Sequence, residues 1–214
     1  MIPASQREGE FDCFFRSLGF DRVSNIIGPS PGFPNADYIH RERKIVAELK
    51  VLDTDWFRDG GIIDRFCSLV PAPVNVTESG IGIYSLRFPG KNREGKHDTF
   101  EEPIRRILKK ANKQIRETKA RLLSSGGVGF LVLALNGFRS LNPDWIAILL
   151  RELLGQEFHE INGVLLCTPG LTETEGLWCS SQVARDSDNW ANPLCIELGK
   201  AWCEFADRGE HEVE

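Results

Sequence analysis

Apolar residues recur at three- and four-residue intervals in Phe11, Phe14, Phe15 and Leu18, and this spacing predicts an amphipathic helix near the start of the chain. Ser5 with Glu8 three residues on has the form of a capping box, and Gly19 is a stop signal. Residues 21–27 predict a strand, followed by the Pro/Gly loop GPSPGFPN. Tyr38–His40 and Lys44–Leu52 then predict two strands of a hairpin around the charged turn HRER. Residues 53–100 are rich in Gly and Pro and hold no sustained period, which predicts an insertion. From about 102 to 123 the helical period returns, with Ile104, Ile107, Leu108, Ala111, Ile115 and Leu122 as the buried stripe. Gly126-Gly127 ends it, and the unbroken apolar run 129–135 predicts a buried strand. Asn142 as cap and Pro143 as first helical residue predict a helix to about Leu154, and Gly163–Cys167 a further buried strand. About 169–214 is expected to be an irregular extension, with Trp178, Trp190 and Trp202 packing as a cover.

The order is helix, three strands, helix, strand, helix, strand. It predicts an α/β protein with a mixed sheet flanked by helices, as one domain over residues 1–214.

Composition is that of a globular protein, 41% hydrophobic and 27% charged. The longest apolar run, Val128 to Leu135, is far short of a membrane span, and the first ten residues lack the regions of a signal peptide. Six cysteines (13, 67, 167, 179, 195, 203) form no CxxC pair and read as reduced thiols of an intracellular, cytoplasmic protein. Charge changes the picture more. The chain carries −5, yet residues 91–121 hold eleven Lys/Arg against five acids, +6 in all. Arg105, Lys109, Lys113 and Arg116 follow one another along a flank of the 102–123 helix, either as a solvated face or as a phosphate-contacting one.

The charged residues inside apolar runs are the candidates for chemistry. Glu-x-Lys occurs at Glu48-Lys50, Glu94-Lys96 and Glu117-Lys119, and once more in the charged turn, at Glu42-Lys44. The second lies in a Gly-rich polar loop and the third on a charged helix. Glu48 and Lys50 alone lie on an apolar strand, where period two points both to one face. A hairpin can set Asp37 beside Glu48. Two carboxylates and a lysine at one sheet edge can hold a hard divalent cation and activate water. They can equally neutralise one another as an internal salt bridge.

At these residues the chain resembles the PD-(D/E)XK nuclease superfamily, the restriction-endonuclease-like fold. The matching text is Pro34-Asn35-Ala36-Asp37, ten residues, then Glu48-Leu49-Lys50 on a hydrophobic strand, within the element order αβββαβ over roughly residues 5 to 167. Asn35-Ala36 separate Pro34 from Asp37 where the short pattern has them adjacent. The resemblance implies that Asp37, Glu48 and the Leu49 backbone carbonyl hold Mg²⁺ (Mn²⁺ can substitute) and that Lys50 is catalytic. It adds a glutamate from the first helix. Glu8 lies about 60° and Glu10 about 100° from the centre of that helix's apolar face, so Glu8 is the expected one. Some branches also carry a glutamine on the helix after the lysine strand, here Gln114. The RecB-like branch has a tyrosine four residues later, where this chain has Thr118.

The expected function is a magnesium-dependent endonuclease acting on double-stranded DNA, of the restriction, defence or repair type, with no membrane partner and a homodimer left open. Arg105, Lys109, Lys113 and Arg116 would contact phosphates, and the 53–100 insertion would shape the groove. The competing class is a non-catalytic module that uses the same charges as a salt-bridge network while binding nucleic acid or protein.

Overall fold

Period two sorts the strand Ile45–Leu52 cleanly. Ile45, Ala47, Leu49 and Val51 join one core cluster, and Val46 and Leu52 join the other, with Glu48 and Lys50 between them in sequence on that second face. The computed structural model describes residues 4–52, 98–124, 126–135, 143–167, 180–184 and 191–208. Its elements are α1 (Ala4–Ser17), β1 (Asp21–Arg22), α2 (Val23–Ile27), β2 (Tyr38–His40), β3 (Ile45–Leu52), α3 (Asp98–Leu122), β4 (Val128–Leu135), α4 (Pro143–Gln156), β5 (Gly163–Cys167), β6 (Ser180–Ala184) and α5 (Ala191–Arg208).

The six strands form one mixed sheet in sequence order. β1, β2 and β3 make an antiparallel meander, β4 and β5 run parallel to β3, and β6 returns antiparallel. The parallel β3–β4 step requires a crossover, and α3 lies within it. On one face Leu108, Ala111 and Ile115 of α3 and Leu149, Leu150 and Leu153 of α4 pack over Val46, Leu131, Leu133 and Val164. On the other, Phe11, Phe14 and Phe15 of α1 and Leu198, Trp202 and Phe205 of α5 pack over Ala47, Phe130, Val132 and Leu165. The result is a sheet sandwiched between two helical layers, the α/β class expected. Among the described residues no helix is long and apolar enough to cross a membrane.

Close backbone approach fixes one position. A Cβ on Gly129 would lie 1.9 Å from the Glu160 carbonyl oxygen. The bare backbone there exchanges two hydrogen bonds with Asn162, at 2.8 Å each, tying the start of β4 to the turn before β5.

Three expectations are corrected. Residues 21–27 are a two-residue strand followed by a helical turn, because Val23, Ile26 and Ile27 stand at i, i+3 and i+4 and turn together into the α3/α4 core. The C-terminal part is no irregular cover. It contributes β6 and the eighteen-residue α5, whose Leu194, Cys195, Leu198, Trp202 and Phe205 form a helical stripe buried against α1. Ser5 lies within α1, not ahead of it, so it is not the cap. The remaining elements stand within a few residues of their expected bounds, although α3 runs back to Asp98 and takes Pro103 inside. Residues 53–97 of the expected insertion, and Asn142, lie outside the described residues.

Candidate functional site

The register of the hairpin builds the site. Tyr38 stands opposite Ala47 and His40 opposite Ile45, so one further step sets Asp37 opposite Glu48. Continued regularly, the ladder would bring the Leu49 N–H to the carbonyl of residue 36. The chain instead leaves the sheet there. The Ala36 N–H donates to Thr118 Oγ1 at 2.8 Å, and the Ala36 carbonyl accepts from the Asn35 side chain at 3.0 Å. The Leu49 N–H donates to Asp37 Oδ2 at 2.9 Å. A carboxylate therefore stands where the strand would have continued. The N–H and C=O of one strand residue point to the same side, so the Leu49 carbonyl faces that gap as well.

Glu48 is 1% exposed and points towards α3. Its Oε1 accepts from Lys50 Nζ, and the lysine side chain keeps 20% exposure, so the pair lies at the margin of the core and not sealed within it. Its Oε2 is buried and has no hydrogen-bond partner. Burial first, and then the neighbouring negative charge of Asp37, push the Glu48 carboxyl up to about 8 against the opposing pull of Lys50. Two carboxyl groups and one ammonium thus share a partly buried corner of the sheet.

Gln114, one turn before Thr118 on α3, donates from Nε2 to the Asn35 carbonyl at 2.8 Å, and its Oε1 is buried without a partner. It thus reaches the backbone two residues before Asp37. Asp37 meets the Leu49 N–H, Lys50 meets Glu48, and Gln114 reaches the Asn35 carbonyl two residues before Asp37. The side chain of Glu8 lies outside the described residues, whereas Glu10 is 8% exposed, a buried carboxylate two residues on. Thr118 is the residue the sequence did not single out for a role. It is wholly buried, and its position one helical turn after Gln114 on a charged helix was the available signal.

The donor set suits a hard cation. Among the described residues no group of three or more His, Cys, Asp or Glu side chains could hold a metal ion. Asp37, Glu48 and the Leu49 carbonyl offer three oxygens, and Mg²⁺, which keeps several waters, needs no more from protein. The orphaned Glu48 Oε2 is the acceptor such an ion would satisfy.

On the flank of α3, Lys109, Lys113 and Arg116 are exposed. Arg116 meets Glu117 at 3.2 Å, and Lys109 and Lys113 have no ion-pair partner among the described residues. Arg105 is held differently, with its guanidinium on Glu157 just past α4. Comparisons with protein-family models, curated proteins and solved structures return no match to the chain.

Proposed function

We propose that this protein is a metal-dependent nuclease of restriction-endonuclease-like fold, hydrolysing phosphodiester bonds in DNA. The single observation that carries the reading is the Asp37–Glu48 pair: one carboxylate on β3 and one just before β2, the first with a buried unpartnered oxygen, and a lysine at their edge. Asp37, Glu48 and the Leu49 carbonyl would hold Mg²⁺ or Mn²⁺. When bound, the cation supplies the positive charge that polarises a phosphoryl oxygen and acidifies water.

The chain's own residues do the rest. Asp37 is oriented by the Leu49 N–H, which donates to one of its carboxylate oxygens. Lys50, at the partly exposed edge of the pair, would offer its ammonium to the attacking water or to the charge developing on phosphorus. Gln114 fixes the backbone beside Asp37. Lys109, Lys113 and Arg116 offer charge to the phosphate backbone without reading sequence.

The Lys50–Glu48 ion pair also fits the non-catalytic module, in which the charges only neutralise one another. The experiment that separates the two is incubation with plasmid, linear duplex, single-stranded and branched DNA in Mg²⁺ or Mn²⁺. Cleavage that EDTA stops and that Lys50→Ala loses is expected. Absence of cleavage of every substrate, with no divalent-metal binding by the purified protein, would leave the module.

A further inference from the structure

Asp37 can fill the ladder position only because Ala36 is absent from it. Both backbone groups of Ala36 are satisfied elsewhere, the N–H by Thr118 Oγ1 and the carbonyl by Asn35. One turn earlier on α3, Gln114 holds the Asn35 carbonyl. The Thr118 bond spans 82 residues of sequence and lies between two wholly buried groups, Ala36 and Thr118. In an apolar environment no water replaces it.

We infer that Thr118 is a positioning residue that holds Ala36 off the β2–β3 ladder and so keeps the Asp37 carboxylate and the Leu49 carbonyl available to one cation. This rests on the metal-site reading proposed above. Without the Thr118 acceptor, the buried Ala36 N–H must find another partner. The nearest regular solution is to extend β2 by two residues. Ala36 would then take the Leu49 N–H and C=O into the ladder, which removes the bond that orients Asp37 and occupies the Leu49 carbonyl. Residues that orient metal ligands in this way typically change affinity by about 10- to 100-fold when removed.

The test uses the full chain, its Mn²⁺ binding isotherm, and amide hydrogen exchange of the metal-free protein. Thr118→Val keeps the shape and deletes the acceptor, whereas Thr118→Ser keeps the hydroxyl. Thr118→Val is expected to weaken Mn²⁺ binding about tenfold or more, and Thr118→Ser to stay within about twofold of wild type. Leu153→Ala, in the α4 stripe of the core, serves as the control that lowers thermal stability without moving Mn²⁺ affinity. Unchanged affinity in Thr118→Val, failure of Thr118→Ser to retain it, or an equal loss in Leu153→Ala would overturn the inference. Should Thr118→Val not fold, the wild-type exchange decides: a slow Ala36 amide supports the clamp and a fast one overturns it. Failure of the underlying reading looks different, since wild type would then bind no Mn²⁺ while the Ala36 amide remained protected.

Discussion

Glu48 sits where a carboxylate is least comfortable, and the direction of that discomfort is measurable. Its carboxyl is pushed up to about 8 from the usual 4.5, chiefly by burial and then by Asp37. Below about pH 4.5 folded and unfolded chains both carry the proton, and the stabilisation it brings is fully present. As pH rises through 8 the folded state must give it up, and stability is lost across that window by roughly 3 to 5 kcal/mol. Glu48→Gln is neutral throughout. In EDTA it should melt above wild type at pH 8 and close to it at pH 4.5, read from thermal melts. A lower melting point at pH 8 would mean that the Lys50 ion pair is the group's main contribution and that removing the acid strands a buried ammonium. Cys195 makes a second, independent case. Burial pushes its thiol up to about 12, so it should resist alkylation at pH 8 in the native state and react once the chain is unfolded in denaturant. Mass spectrometry of the labelled peptide reads this directly.

At the scale of elements, α3 carries two jobs on two flanks. Its inward residues Gln114 and Thr118 hold the segment before Asp37, and its outward Lys109, Lys113 and Arg116 lie about three-quarters of a turn to one turn apart along one exposed stripe. Each phosphate they neutralise releases counterions, so duplex affinity should fall with salt by roughly 0.9 in log–log slope per contact. Replacing Lys109 and Lys113 together by Gln should lower the slope by about two and weaken all sequences alike. Arg105→Gln should change it less, because its guanidinium already meets Glu157. Titrations of a labelled duplex at several salt concentrations separate these outcomes, and an unchanged slope in the double variant would make the stripe a solvated face. α5 makes the other element-scale prediction. Trp202 is buried and stacks on Phe11 at 4.7 Å between ring centroids, with Phe14 edge-on at 5.1 Å. Trp202→Ala should cost about 3–5 kcal/mol in chemical denaturation, as loss of a core aromatic does. A near-neutral effect would mean that α5 is an appendage.

The whole molecule shows which physical signals sequence carries. β3, β4 and β5 were legible because burial on both faces leaves an apolar run no other element needs, and α3 because a charged flank sharpens its stripe. The pairing of Asp37 with Glu48 followed from hairpin register alone. α5 was not legible although Leu194, Cys195, Leu198, Trp202 and Phe205 keep helical spacing, since Pro193 and Gly199 punctuate the stretch. α2 was missed because five residues of DRVSNII satisfy strand and helix patterns alike, and tertiary burial of Val23 decides. Thr118 left only its position one turn after Gln114 as a local signal, because its hydrogen bond reaches across 82 residues.

The claim that joins these scales is that Asp37 and Glu48 hold a divalent cation for which Lys50 is not a ligand. Calorimetric titration of Mn²⁺ into wild type, Asp37→Ala and Lys50→Ala tests it most directly. Wild type should bind, Asp37→Ala should lose about tenfold or more in affinity, and Lys50→Ala should bind at least as well as wild type, because it removes the ammonium that competes for Glu48. No heat of binding in wild type, or equal losses in the two variants, would contradict the account.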